Sequence, residues 1–186
     1  MNANVLVLPF LLAATAQATD FGPLMEAVRA TWPEKAHLCV VANYRHSQAE
    51  ILALAREAGD GTILTVIDLT RRDQIGRACN LVKYGRRPDY VVLLPRDPLV
   101  RDGSPQATQL LHQAAMVGIP AIGTTRMAVR QGAVFAIGPD TGLSVLVNDA
   151  IIGTIAPVLP PKGFTPVAAR ARGMAEVTVI AAFRPQ

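Results

Sequence analysis

The chain has 186 residues, 51% of them hydrophobic and 17% charged, too apolar for a disordered segment and long enough for one buried core. Its formal charge is +4, carried almost wholly by arginine, with lysine only at Lys35, Lys83 and Lys162 and no polybasic tail. With 5% aromatic residues and no recognisable nucleic-acid module, this balance does not point to a nucleic-acid partner.

Residues 1–18 read as a signal peptide. An apolar run from Val5 to Ala14 is followed by Ala16-Gln17-Ala18, the small-x-small pattern of a cleavage site. No Lys or Arg precedes the run and Pro9 interrupts it, so a first buried strand or helix is the alternative. Export leaves residues 19–186 as a single α/β domain, periplasmic or secreted. The run is too short to span a bilayer, and no later segment reaches about 18 uninterrupted apolar residues.

Phe21 to Thr31 reads as a helix with Leu24, Met25 and Val28 inward, ending ahead of Trp32-Pro33. From there short β-branched runs alternate with helical patterns, the mark of βα units on a mostly parallel sheet. The expected strands are 37–42, 62–67, 89–94, 119–122 and 133–137. Their continuous apolar content suits strands covered on both faces. Ser47-Gln48-Ala49-Glu50 has capping-box spacing ahead of Ile51, Leu54, Ala55 and Ala58, with Gly59 closing that helix. The next helix is expected over 71–84 with Gly85 as its stop. Ser104 as cap and Pro105 at the first position open a third, which runs to Gly118. Asp140 is expected to cap a helix over 140–155, because Leu143, Leu146, Val147, Ala150, Ile151 and Ile155 keep helical spacing. Pro157, Pro160, Pro161, Gly163 and Pro166 then make an extended loop, and 175–183 returns as a final strand, at an edge or reaching to a neighbour.

The expected fold class is α/β: a three-layer sandwich around a mostly parallel five- to six-stranded sheet in the order 2-1-3-4-5. Cys39 and Cys79 are an even pair that suits a disulfide in an oxidising compartment. Both also sit at core spacing, where buried free thiols fit.

The run Val91-Val92-Leu93-Leu94-Pro95-Arg96-Asp97-Pro98, then Gly118-Ile119-Pro120-Ala121, then Gly132-Ala133-Val134 and Gly138-Pro139-Asp140, resembles the substrate-binding proteins of ABC transporters. In that family a Pro-x-Asp turn, an Ile-Pro strand, a Gly-Ala strand and a Gly-x-Asp turn follow in this order and spacing. With Trp32-Pro33 and Asn43 the resemblance covers about residues 24–182. It implies one periplasmic-binding-protein-like lobe of the two that close on a ligand, and an acidic position, Asp97, that accepts a ligand amine. A lone lobe cannot trap a ligand by hinge closure. The resemblance therefore implies a homodimer or a separate partner, such as a membrane permease. A second reading is a periplasmic sensor acting through a membrane-bound signalling enzyme, a diguanylate cyclase or kinase, because Trp32-Pro33 before a strand is loosely similar to small exported proteins of that kind.

Ligands of open α/β sheets sit beyond the carboxyl ends of the strands. Those ends carry Asn43, Tyr44, Arg45 and Ser47, then Arg71, then Arg96 and Asp97, then Thr124, Thr125 and Arg126. Arginine at four successive helix starts opposes the helix dipole, a conflict that an anion offsets. These ten residues are the expected binding set for a small anionic or amino-acid-like ligand; a solvated arginine rim is the plainer alternative. No cofactor or metal is expected, since His37, His46 and His112 are scattered. No nucleophile elbow or phosphate loop marks an enzyme.

Overall fold

The computed structural model describes residues 19–151, 154–163, 165 and 173–182. The expected signal peptide, Pro166 of the extended loop and Phe183 at the end of the final strand lie outside them. Among the described residues no helix is long and apolar enough to cross a membrane.

The elements run α1 (Gly22–Thr31), β1 (His37–Ala42), α2 (Tyr44–Ala58), β2 (Ile63–Asp68), α3 (Ile75–Asn80), β3 (Tyr90–Val92), α4 (Pro105–Ala115), β4 (Ala121–Gly123), α5 (Arg126–Arg130), β5 (Phe135–Ala136), β6 (Leu146–Val147) and β7 (Glu176–Ala181). They build one seven-stranded sheet in the order β6-β5-β4-β3-β1-β2-β7. The chain is thus an α/β protein with a mostly parallel sheet. The strand order differs from the expected one at both margins, where β6 adds antiparallel to β5 and β7 adds parallel to β2.

Two apolar layers explain the continuous hydrophobicity of the central strands. Leu38, Val40, Leu64 and Val66 face α1 and α2 with Leu24, Val28, Ile51 and Leu54. Cys39, Val41 and Ile67 face α3 and α4 with Ala78, Val82, Leu110 and Leu111. Strand residues alternate between the faces, so a strand covered on both must be apolar at every position. Trp32 belongs to the first layer: 4% exposed, it lies 5.5 Å from the Phe135 ring and 6.2 Å from Tyr90, and its Nε1 donates to the Val158 carbonyl at 3.1 Å.

Three local expectations are corrected. First, α2 starts a turn earlier than the capping-box reading, with Asn43 as N-cap accepting from the His46 amide at 3.1 Å; Ser47 and Glu50 turn to distant partners instead. Secondly, Gly85 does not stop the helix after β2. A 3-10 turn over Arg72–Gln74 leads into α3, which widens into a π-helical turn over Leu81–Arg86 and ends where Arg87 takes a left-handed φ of 43°. Thirdly, no helix runs from Asp140. Gly142 and Leu143 are consecutive left-handed residues, φ 69° and 61°, a combination that breaks any right-handed helix. The chain reverses there, so that Leu146 and Val147 pair with Ala136 and Phe135. Of the six residues with helical spacing only Ile151 is buried, Val147 and Ile155 pack half-buried against the α1/α2 layer, and Leu143 and Ala150 are exposed.

Candidate functional site

β1 to β5 run parallel, so their carboxyl ends share one edge of the sheet. α2 lies over one face and α4 over the other, which makes the gap between the β1 and β3 exits the place where such sheets usually open a crevice. Here that gap is tied shut. Asp97 is fully buried, at 0% exposure. Its Oδ2 accepts from the Asn43 amide at 2.7 Å and the Ser47 hydroxyl at 2.6 Å, and its Oδ1 accepts from the Leu99 and Val100 amides at 2.8 and 2.7 Å. Both oxygens are committed, and neither is open to the ligand amine that the resemblance implied.

A second carboxylate ties the next pair of exits in the same way. Asp102 Oδ2 accepts from the Thr124 and Thr125 amides at 2.8 and 3.1 Å and from the Thr124 hydroxyl at 3.3 Å, while Oδ1 accepts from the Thr125 hydroxyl at 2.8 Å. Burial raises the Asp102 pKa, and the Thr124 and Thr125 hydrogen bonds only partly oppose the rise. Two glycines make room for this packing: a Cβ on Gly123 would come 2.8 Å from Asp102 Oδ2, and one on Gly138 would meet the Thr124 carbonyl oxygen at 2.0 Å.

The expected binding residues therefore separate. Asn43 and Ser47 serve the Asp97 tie, and Tyr44 packs against the core while its amide donates to Asp68 Oδ1 at 2.9 Å. Arg45 is exposed on α2. Arg71 forks onto its neighbour Asp73. Thr124 and Thr125 hold Asp102, and Thr125 also caps α5. Arg126 donates from Nε to the Asp140 carbonyl at 2.8 Å, and its amide donates to Asp140 Oδ2 at 3.0 Å. Asp140 thus serves α5 rather than capping a helix of its own.

What stays open lies beside the tied gap, on the α3/α4 side. A cleft of about 600 Å³ is lined by Arg72, Arg96, Arg101, Ser104, Gln106 and the turn Pro95–Leu99. Arg96 Nε stands 3.5 Å from Glu50 Oε1, which also accepts from the Thr19 hydroxyl at 2.9 Å. Arg72 and Arg101 are exposed, with no acceptor among the described residues. At the cleft margin Ser104 caps α4 by accepting from the Ala107 amide at 3.1 Å, and Pro105 has no N–H, which leaves the Gln106 amide as the free donor of that first turn. A smaller cleft of about 460 Å³ shares Pro95 and Arg96 and reaches Thr19, Asp20, Thr124, Thr125 and Asp140.

The expected list omits Arg72, Arg101, Ser104 and Gln106. A signal for the last three was present, because Ser104-Pro105 marks a helix start and a cation three residues ahead of the cap stands at its positive end. Nothing local singles out Arg72 over Arg71; the choice depends on which of the two forks onto Asp73.

Cys39 and Cys79 are free thiols, both buried. Desolvation pushes the Cys39 pKa up to about 12 and that of Cys79 up to about 11.

No family model and no curated protein matches the chain. Among solved structures, the chain is similar to a cystathionine gamma synthase from Xanthomonas oryzae pv. oryzae in complex with cystathionine, at a TM-score of 0.45 and 19% identity. The match takes in 72% of this chain and 37% of that one, so the chain spans little more than a third of that protein's length. Similarity of this degree assigns neither fold nor activity.

Proposed function

We propose that the chain is a binding protein whose cleft beside the β3 exit takes a small anion bearing a carboxylate or phosphate group. One observation carries the reading: in the cleft walls the single carboxylate is spent on internal donors and the guanidinium groups are not spent on acceptors. Asp97 is occupied by four internal donors, whereas Arg72 and Arg101 present whole guanidinium forks and Arg96 keeps its terminal nitrogens after its contact with Glu50. Guanidinium forks match carboxylate and phosphate oxygens in bidentate geometry, and the α4 amino end adds a donor and a favourable dipole. An amino-acid-like ligand loses its main support, because the carboxylate meant for its amine faces inward. In this reading the chain is an exported single lobe of the substrate-binding type that recognises its ligand by charge.

The test is titration calorimetry at low ionic strength with inorganic phosphate and with malonate, on the unaltered chain and on Arg72→Ala and Arg101→Ala. Each substitution removes charge-assisted bonds and is expected to weaken binding about tenfold or more, with affinity falling as salt is added. Affinity unchanged in both variants, or no binding of either anion, overturns the reading.

A further inference from the structure

β7 is a six-residue strand at the margin of the sheet whose side chains are half-buried or exposed along its whole length. β1, of equal length, is buried at every position after its first. Its sequence, Glu176-Val177-Thr178-Val179-Ile180-Ala181, has high β-propensity. Of the usual guards of an open edge β7 carries only the charge of Glu176 at its first position: it has no proline, no lysine and no positive-φ residue.

The register says which backbone groups are unused. The Glu176 amide donates to the Thr62 carbonyl and the Ala182 amide to the Asp68 carbonyl, both at 2.9 Å, and the pairs run Ile63 with Glu176 through Asp68 with Ala181. In a parallel ladder alternate residues direct both N–H and C=O to the neighbour. Glu176, Thr178, Ile180 and Ala182 therefore face β2, while Val177, Val179 and Ala181 point both groups outward, where no described residue receives them. The opposite margin of the sheet, β6, is two residues long and offers no comparable ladder.

We infer that β7 pairs antiparallel with β7 of a second copy of this chain, about a two-fold axis at Val179. The three outward residues are spaced two apart, so the set is its own complement: Val177 meets Ala181, Val179 meets Val179, and Ala181 meets Val177, each pair exchanging two backbone hydrogen bonds. Between them Thr178 lies opposite Ile180. The one charged residue, Glu176, falls opposite Ala182, so no like charges meet. A register moved by one residue would set outward groups against groups already bonded to β2. Val179, 42% exposed and on the α1/α2 face of the sheet, gains a β-branched partner on that face. The copies join edge to edge into one continuous sheet, and the arginine cleft plays no part in the contact.

The experiment measures mass by sedimentation equilibrium across low to high micromolar concentration for the unaltered chain, Val179→Pro and Val179→Lys. Val179→Pro deletes an outward donor but none of the β2 ladder, which uses residues 178 and 180; Val179→Lys keeps the backbone and sets two ammonium groups at the axis. The unaltered chain is expected at twice the single-chain mass, with dissociation about thirtyfold easier or more in either variant and circular dichroism unchanged. A third variant, Val179→Cys, keeps the test informative if a substitution disturbs folding. Its two thiols stand about 5.5 Å apart at Cα, within disulfide reach, and mild oxidation is expected to link the copies. A single-chain mass throughout, as when the edge serves a strand of some other protein, overturns the inference. So does a dimer that survives both substitutions, or one that Val179→Cys fails to cross-link.

Discussion

Asp97→Asn separates a tie within the fold from a ligand contact. In the native chain two oxygens receive four donors, three of them backbone amides, at a side chain with no exposure. Asparagine keeps one oxygen and replaces the other by an amino group. The cheaper orientation turns that group toward Asn43 and Ser47, because the Ser47 hydroxyl can rotate and accept, leaving one buried amide unpaired. The reverse orientation strands the Leu99 and Val100 amides together. One orphaned amide costs about 1–3 kcal/mol, and the two bonds that remain lose about 1 kcal/mol each with the charge, so the expected loss is about 3–5 kcal/mol. For a chain of this size that lowers Tm by about 6–20 °C. Urea unfolding followed by fluorescence and circular dichroism measures it, with the slope unchanged if only stability is affected. A loss under about 1 kcal/mol together with a collapse of anion affinity would refute the reasoning, because it would place the carboxylate on the ligand.

Gly138→Ala should destabilise by about 3 kcal/mol or more, since the Cβ would lie 2.0 Å from a backbone oxygen that cannot yield, and thermal unfolding reads this directly. Cys39 and Cys79 should resist a thiol reagent at pH 8 in the folded chain and react as two thiols in denaturant; rapid labelling of the native protein would contradict their burial and raised pKa values. His37 has its pKa lowered, first by burial and further by Arg86, with Asp89 opposing. Its neutral form, 2.9 Å from the Thr65 hydroxyl, is therefore favoured by folding. With a folded pKa below the unfolded 6.5, the unfolded chain binds the proton more readily, so this contribution is present above 6.5 and lost as pH falls through the folded value. Comparing His37→Gln with the unaltered chain in urea between pH 7.5 and 5 should show a shallower decline in the variant.

Part of this architecture is local information. β1 and β2 are legible because a strand under two helical layers has to be apolar at every position, and α4 because Ser104-Pro105 combines a cap with a residue that fits only the first turn. The helices and strands from Gly22 to Ala136 follow from such signals, with boundaries shifted by a few residues, except the short α5, which no expected element anticipated. Long-range partners overrode the rest. Ser47 and Glu50 have the spacing of a capping box, yet a buried aspartate fifty residues away claims the Ser47 hydroxyl, and Thr19 and Arg96 claim the Glu50 carboxylate. The stretch after Asp140 has helical spacing, but Gly142 and Leu143 turn it back onto Phe135, because β6 supplies backbone partners to a margin that would otherwise lack them. The sequence by itself determined the alternation of strands and helices and the edge at which charged and polar residues gather. Only the tertiary structure decided which of them stay open, because Asn43 and Ser47 close the second oxygen of Asp97 and Thr124 and Thr125 consume Asp102 from other strand exits, and local spacing holds no record of those partners.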